Sequence, residues 1–220
     1  MARIARVVVP DYPHHVTQRG CRRQQTFFTT DDYRCYLELL QNRIVDAGIS
    51  IWAYCLMPNH LHLVVVPETD QSLSRFLGPA HRQYALEINR RMGWKGHLWQ
   101  ERFHSFVMDE RHLLAAVRYV ELNPVRANLC AVAWDWPWSS AAAHMSGEDD
   151  DLVAVEPMLG RVGNWEVYLS SSLAGPADDT LRKHSRSGRP AGDDAFLGVL
   201  EALTQRRLKK RKPGPRPGTR

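Results

Sequence analysis

The sequence predicts an α+β fold of the ferredoxin-like kind: an antiparallel sheet with helices on one face, followed by one extra helix. Three observations carry this. Residues 14–20, 49–58, 60–67 and 103–108 are short runs of β-branched, aromatic and alternating apolar residues, which read as strands. Two segments with apolar residues at helical spacing lie between them, over 33–48 and 72–91. The resulting order is strand, helix, strand, strand, helix, strand, the split βαβ arrangement.

Each element has a local reason. HHVTQRG (14–20) is the first strand. Thr29, Thr30, Asp31 and Asp32 offer N-cap side chains before YRCYLELLQNRIVDAG, whose apolar positions 36, 37, 40, 44 and 45 share one helical face and which closes at Gly48. ISIWAYCLMP (49–58) and HLHLVVVP (60–67) flank a turn at Pro58 and Asn59, so 49–66 is expected to form a hairpin. The second helix places 73, 76, 77, 80, 84 and 88 on one face, and Gly93 and Gly96 break it. FHSFVM (103–108) is the fourth strand. Asp109 caps ERHLLAAVRYVEL, which Pro124 is expected to end. The sheet's second face is left for a ligand or a further layer of chain.

Beyond residue 145 the character changes. GEDDD (147–151) reads as a solvated acidic loop, 152–172 as short helices, 174–194 as loop, and 195–210 as a helix running into a basic tail. Three regions are therefore expected: 1–145 as the main domain, 146–205 as a partly helical extension, and 206–220 as a disordered basic tail.

Composition is that of a soluble globular chain, with 44% hydrophobic and 24% charged residues. No run approaches the roughly 18 apolar residues of a membrane span. The apolar run at Val7 to Val9 is too short for a signal peptide, so a cytoplasmic protein is expected. Cys21, Cys35, Cys55 and Cys130 include no CxxC pair, which leaves free thiols as the expected state. The net charge of +5 is a property of the tail: residues 206–220 hold eight Lys or Arg, and the remaining 21 basic against 24 acidic residues give −3.

The candidate chemistry begins with His60 and His62. Two apart on a strand, they point to the same side, roughly 7 Å apart along the chain, and can share one metal ion or one phosphate, while Leu61 points into the core. A bare His-x-His pair reads more readily as two solvated side chains on the sheet's open face. Tyr119 and Asn123 lie four apart on the last helix, hence on one face. Alone, Tyr119 reads as an ordinary core tyrosine and Asn123 as a helix stop.

The two sets together are specific. MPNHLHLVVV (57–66), followed about 60 residues later by RYVELNPVRANL (118–129), resembles the HUH single-tyrosine transposases, and among them the REP-associated tyrosine transposases of bacteria. HHVTQRG, LWQERFHS (98–105), WPWSSAAAH (136–144) and SGRPAGDDAF (187–196) are similar to that family as well, so the likeness runs over most of residues 5–200. The resemblance implies His60 and His62 as metal ligands, Tyr119 as the nucleophile and Asn123 as a third polar ligand. It implies a divalent ion, Mg2+ or Mn2+, and a single-stranded DNA endonuclease and strand transferase that acts on imperfect-palindrome hairpins through a 5′-phosphotyrosine link, as a monomer, with a homodimer as the alternative.

Binding such DNA needs cations and aromatic faces. Arg19, Arg22 and Arg23 follow the first strand, and Arg75, Arg82, Arg90, Arg91, Lys95 and Arg102 lie in a stretch whose acids are Glu87 and Glu101. Trp94 and Trp99 sit among them and are candidates to stack on unpaired bases. Two rival readings remain: a non-catalytic single-stranded nucleic-acid-binding module, which would lack the aromatic signature of RRM strands here, and a metal-dependent phosphohydrolase that uses the His pair without Tyr119.

Overall fold

The computed structural model describes residues 6–171 and 176–209. Its centre is a four-stranded sheet of β1 (His14–Arg19), β2 (Ile49–Met57), β3 (His60–Pro67) and β4 (His104–Val107), in the order β2-β3-β1-β4. The pairs β1/β3, β1/β4 and β2/β3 are antiparallel, which is the ferredoxin-like topology expected from the sequence.

One face of the sheet carries Val16, Leu61, Leu63 and Val65. They pack against Tyr36 and Leu40 of α1 (Thr30–Gln41) and Phe76, Leu77 and Tyr84 of α3 (Ser72–Met92). The one-turn α2 (Ile44–Ala47) follows a break after Gln41 and ends at Gly48, whose φ of +59° is a left-handed cap. That break shifts the helical phase. Val45, expected on the apolar face, is therefore exposed.

The opposite face is also covered. Ala53, Cys55, Val64 and Phe106 pack on Leu113, Ala116, Val117 and Val120 of α4 (Glu110–Glu121). An extra residue at Trp52 bulges β2 between Ile51 and Ala53. The bulge resets the alternation, so Ile51, Tyr54 and Leu56 reach the first core while Ala53 and Cys55 reach the second. The helix expected to stop at Pro124 ends at Glu121, and Pro124 instead sits in the first turn of α5 (Asn123–Arg126).

The remaining chain completes these cores. It forms α6 (Ala141–Ser146), α7 (Glu156–Leu159), α8 (Trp165–Ser170), α9 (Pro176–Ser187) and α10 (Asp194–Thr204). Ala141, Met158, Trp165, Leu169, Leu181 and Ala191 all join the α4 core, so described residues of the 146–205 stretch help build the domain's own interior. Segments after β4 also shield both sheet edges. Leu56 N donates to Trp138 O and Ser140 N to Tyr54 O along β2; Ala191 N donates to Val107 O and Asp109 N to Ala191 O along β4. These bonds give WPWSSAAAH and SGRPAGDDAF their structural work.

Two expectations are corrected here. Residues 176–187, expected as loop, form helix α9 (Pro176–Ser187); its residues are mostly polar, and among its described side chains it buries Leu181 in the core. The tail begins later than residue 206, because Leu208 is buried beside Val7 and Leu200, and the Leu208 and Lys209 N–H groups donate to Glu201. Residues 210–220 lie outside the described chain. No helix among the described residues is long and apolar enough to cross a membrane.

One interior group ties α4 to the C-terminal helices. The fully buried Glu121 carboxylate accepts hydrogen bonds from Ser140 Oγ (2.6 Å), His144 Nδ1 (2.7 Å) and Trp165 Nε1 (2.8 Å). Three partners offset the desolvation of a buried carboxylate; removing it strands His144 Nδ1 and Trp165 Nε1 and leaves Ser140 Oγ with its Tyr54 backbone contacts. Glu121→Ala is expected to lower stability by about 3 kcal/mol or more, and urea denaturation of the two proteins checks this.

Candidate active site

The register of β1 and β3 builds the site. Thr17 lies opposite His62 and Arg19 opposite His60. Alternation then places His15, Thr17 and Arg19 on the same side as His60 and His62, facing α4. The His60 and His62 rings are 5.0 Å apart between centroids and nearly perpendicular at 81°.

Both rings have one nitrogen engaged. His60 Nδ1 lies 2.7 Å from Asn59 Oδ1, and Asn59 Nδ2 donates to Arg23 O, which settles the amide's orientation. His60 Nδ1 must therefore be the donor, leaving a lone pair on Nε2 of the neutral ring. His62 Nδ1 lies 3.0 Å from His15 Nε2, with the two rings parallel within 3°. His62 Nε2 is buried and has no protein partner. Burial pushes His60 and His15 each down to about 3, Arg19 adding to the shift at His60. Burial, then His60, His15 and Arg19, hold His62 well below the ordinary imidazole value. The cluster is neutral at physiological pH, the state a metal-ligating imidazole requires.

Tyr119 reaches the same place from α4. Its ring centroid is 5.5 Å from that of His62 and 6.3 Å from that of His15. Asn123 Nδ2 and an Arg126 guanidinium nitrogen each donate to Tyr119 O at 3.1 Å, and the Arg126 guanidinium lies 5.0 Å from the Tyr119 ring centre. These contacts anchor the end of α4, with the cation over the aromatic face adding a modest attraction.

His15, Arg19, Arg23, His60, His62, Tyr119 and Asn123 line one cavity of about 590 Å³, and Leu181, Ser185 and Arg186 of α9 close one side of it. Thr17 Oγ1 and Ser185 Oγ are 3.2 Å apart across that junction. Among the described residues no three His, Cys, Asp or Glu side chains are grouped to hold an ion. A site here would therefore combine the two imidazoles with neutral oxygen donors such as Asn123, water or the substrate itself. An unpartnered His62 Nε2 beside a lone pair on His60 Nε2 fits a divalent ion.

The cations and aromatics expected to bind DNA separate into groups. Arg19 and Arg23 are on the cavity wall, and Arg22 is exposed beside them; Arg22 and Arg23 both have left-handed backbones, φ 54° and 63°. Arg82 and Arg102 line a second groove. Arg90 is exposed and bonds Glu87, Lys95 is exposed, and Trp94 is 42% exposed with its ring edge-on to Phe28. Two residues are reassigned. Trp99 is buried, donates Nε1–H to His81 O and packs among Phe27, Tyr36 and Tyr84, so no face is left for a base. Arg91 holds the buried Asp32 carboxylate in two bonds of 2.5 and 2.8 Å, and is thereby committed to the start of α1. His15, Arg126, Ser185 and Arg186 were not singled out from the sequence. His15 could have been, since it shares the strand face that β1/β3 pairing brings to His62.

The family model described as "Transposase IS200 like" matches residues 8–123, a span that runs from before β1 to Asn123. The chain belongs to the IS200-like transposases. A candidate REP-associated tyrosine transposase of Haemophilus influenzae is 28% identical to this IS200-like chain over 99 residues, which is 40% of this chain and 56% of that protein. The chain thus matches a little over half the length of that relative. A solved structure of a REP-associated tyrosine transposase bound to a REP hairpin superposes with a TM-score of 0.57 at 23% identity, covering 70% of this chain and 92% of that one. At that identity the likeness is one of fold.

Burial would raise the Asp32 carboxyl, but bonds from Arg91 and from the Phe28 and Thr29 N–H groups outweigh it and hold it below the ordinary range. A depressed carboxyl stabilises the fold above its unfolded value of about 3.9, and the contribution is lost as pH falls through the folded value. Arg91→Met is expected to cost about 1–3 kcal/mol at pH 7, to flatten the acid limb of the stability curve, and to leave DNA affinity unchanged. Denaturation across pH 2–7 and fluorescence anisotropy check the two halves.

Proposed function

We propose that this IS200-like transposase is a metal-dependent endonuclease and strand transferase for single-stranded DNA, with Tyr119 as its nucleophile. The observation that carries the reading is the convergence, in one cavity, of two neutral imidazoles with Nε2 uncommitted and the Tyr119 ring. His60 Nε2, His62 Nε2 and Asn123 would hold the ion, Mg2+ or Mn2+. When bound, such an ion polarises phosphate oxygens and stabilises the added negative charge.

The chain's own residues do the rest. Tyr119 Oη attacks the backbone phosphorus and gives up its proton. The new Oη–P bond replaces the P–O3′ bond, and the departing 3′ oxygen takes a proton to become a hydroxyl. The 5′-phosphotyrosine link conserves the phosphodiester bond energy, so a 3′-hydroxyl can reverse the step and join strands. Arg19 and Arg23, on the cavity wall, suit neighbouring phosphates. Tyr119 lines the same cavity as His60 and His62 of its own chain, which supports action in cis. Hairpin DNA is the proposed partner, as in the relative solved on a REP hairpin.

The test mixes the protein with labelled hairpin oligonucleotides taken from DNA beside its own gene, with Mn2+ present, and resolves the products on a denaturing gel. An SDS-resistant protein–DNA band is expected. It should fall by at least about 100-fold in Tyr119→Phe, His60→Ala and His62→Ala, with binding by anisotropy retained in all three. Cleavage without an adduct, unchanged in Tyr119→Phe, would replace this reading with a hydrolase. Loss of binding in the His variants would make the pair structural.

A further inference from the structure

The two candidate ligand imidazoles are held by unlike partners. His60 Nδ1 donates to Asn59 Oδ1, an oxygen that can only accept and whose amide is oriented by Arg23 O. His62 Nδ1 instead meets a third imidazole, His15 Nε2, at 3.0 Å. His15 lies opposite Val64 and is therefore the diagonal cross-strand neighbour of His62 on the same sheet face. With 5.1 Å between ring centroids and 3° between ring planes, the two rings meet edge to edge, close to one plane, as a hydrogen bond to an in-plane nitrogen lone pair requires. His15 is 2% exposed, and the rings of Phe106 and Tyr119 stand nearly perpendicular to it at 5.2 and 6.3 Å.

One proton lies between these two neutral rings, and its place decides whether His62 can bind an ion. On His62 Nδ1, it leaves the Nε2 lone pair free. On His15 Nε2, it forces the remaining His62 proton onto Nε2 and closes that nitrogen to a cation. In both arrangements His15 Nδ1 and His62 Nε2 lack a protein partner, so no neighbouring side chain selects between them. A cation at His62 Nε2 selects the first. That state needs an acceptor for a buried His62 Nδ1–H, and His15 Nε2 is the one in place.

We propose that His15 is a positioning residue for the ion: by accepting the His62 Nδ1 proton it holds His62 in the tautomer and the ring plane that present Nε2 to a divalent cation. The inference rests on the metal-dependent reading above and adds to it a residue outside the set of His60, His62 and Asn123. Asn59 does the same for His60, with an oxygen in place of an imidazole.

The test titrates Mn2+ into the full-length protein and reads the free ion by electron paramagnetic resonance. His15→Phe keeps a buried ring beside Phe106 and Tyr119 and removes the acceptor. It is expected to weaken Mn2+ binding about 10–100-fold, and to hold or raise Tm, because an unpartnered nitrogen is lost with it. His15→Gln sets a carbonyl acceptor near the place of Nε2 and should stay within about threefold of wild type. In the adduct assay, the yield that His15→Phe loses at low Mn2+ should return as Mn2+ is raised, since the residue acts through the grip on the ion. Long-range proton–nitrogen NMR of the His62 ring, with Mg2+ as a diamagnetic ion, should show the proton on Nδ1 in wild type. Equal Mn2+ affinity in wild type and His15→Phe overturns the proposal and leaves the metal reading standing. Equal losses in His15→Phe and His15→Gln also overturn it, and make His15 a direct ligand. A loss in His15→Phe that follows a fall in Tm makes its role structural. Wild-type protein that binds Mn2+ no better than His62→Ala removes the ion itself, and this role with it.

Discussion

The pairing of β1 with β3 decides what the cavity contains. With His62 opposite Thr17 and His60 opposite Arg19, alternation sends three imidazoles and Arg19 to the α4 side and Leu61, Leu63 and Val16 to the α1/α3 side. A slip of one residue would bury His60 and His62 in an aromatic core and turn leucines toward Tyr119. Both faces of the sheet are packed, so the apolar cost of such a slip is large. The same burial that stabilises the fold therefore enforces the register of the site.

The other half of the site depends on where α4 sits. Val117 and Val120 press on the sheet, Tyr119 faces the cavity, and Glu121 points back into the C-terminal helices. These directions follow from helical spacing once one of them is anchored. Glu121 supplies a directional anchor that apolar packing lacks, because Ser140, His144 and Trp165 converge on its two carboxylate oxygens. Contacts from Asn123 and Arg126 to Tyr119 O then hold the helix end. Helix α9 closes the cavity with Ser185 and Arg186 and, among its described side chains, buries Leu181 in the core.

What was legible in the sequence follows from the same physics. The strands, α3 and the hairpin were readable because each has a strong period and sharp turn residues. His60 and His62 were readable as a same-face pair because strand alternation needs no knowledge of the partner strand. Helix α9 is hard to see in the sequence because its residues are mostly charged or polar: its apolar positions are too few to stand out, although they are spaced for a helix. Trp99 and Arg91 were misassigned for a related reason. A tryptophan among arginines looks like a base-stacking surface, and only tertiary structure reveals Phe27, Tyr36 and Tyr84 around it or Asp32 beneath Arg91. The sequence allows either a ligand or a further layer on the second face, and α4 serves as both: it supplies the core contacts there and the Tyr119 ring that lines the cavity.

Orphan nitrogens connect the cavity and the second groove to the energetics of the fold. Among the described residues, His15, His62, His81 and His144 each keep a buried ring nitrogen without a partner. Three of these line that cavity or that groove, and the fourth, His144, has its other nitrogen on Glu121. An apolar ring of similar size at His15, His62 or His81 would remove that cost, so packing alone gives no reason for histidine there. A protein optimised only for stability would not concentrate unsatisfied imidazoles at cavity walls. Their clustering is what a chain accepts if those nitrogens are completed by something that arrives from outside.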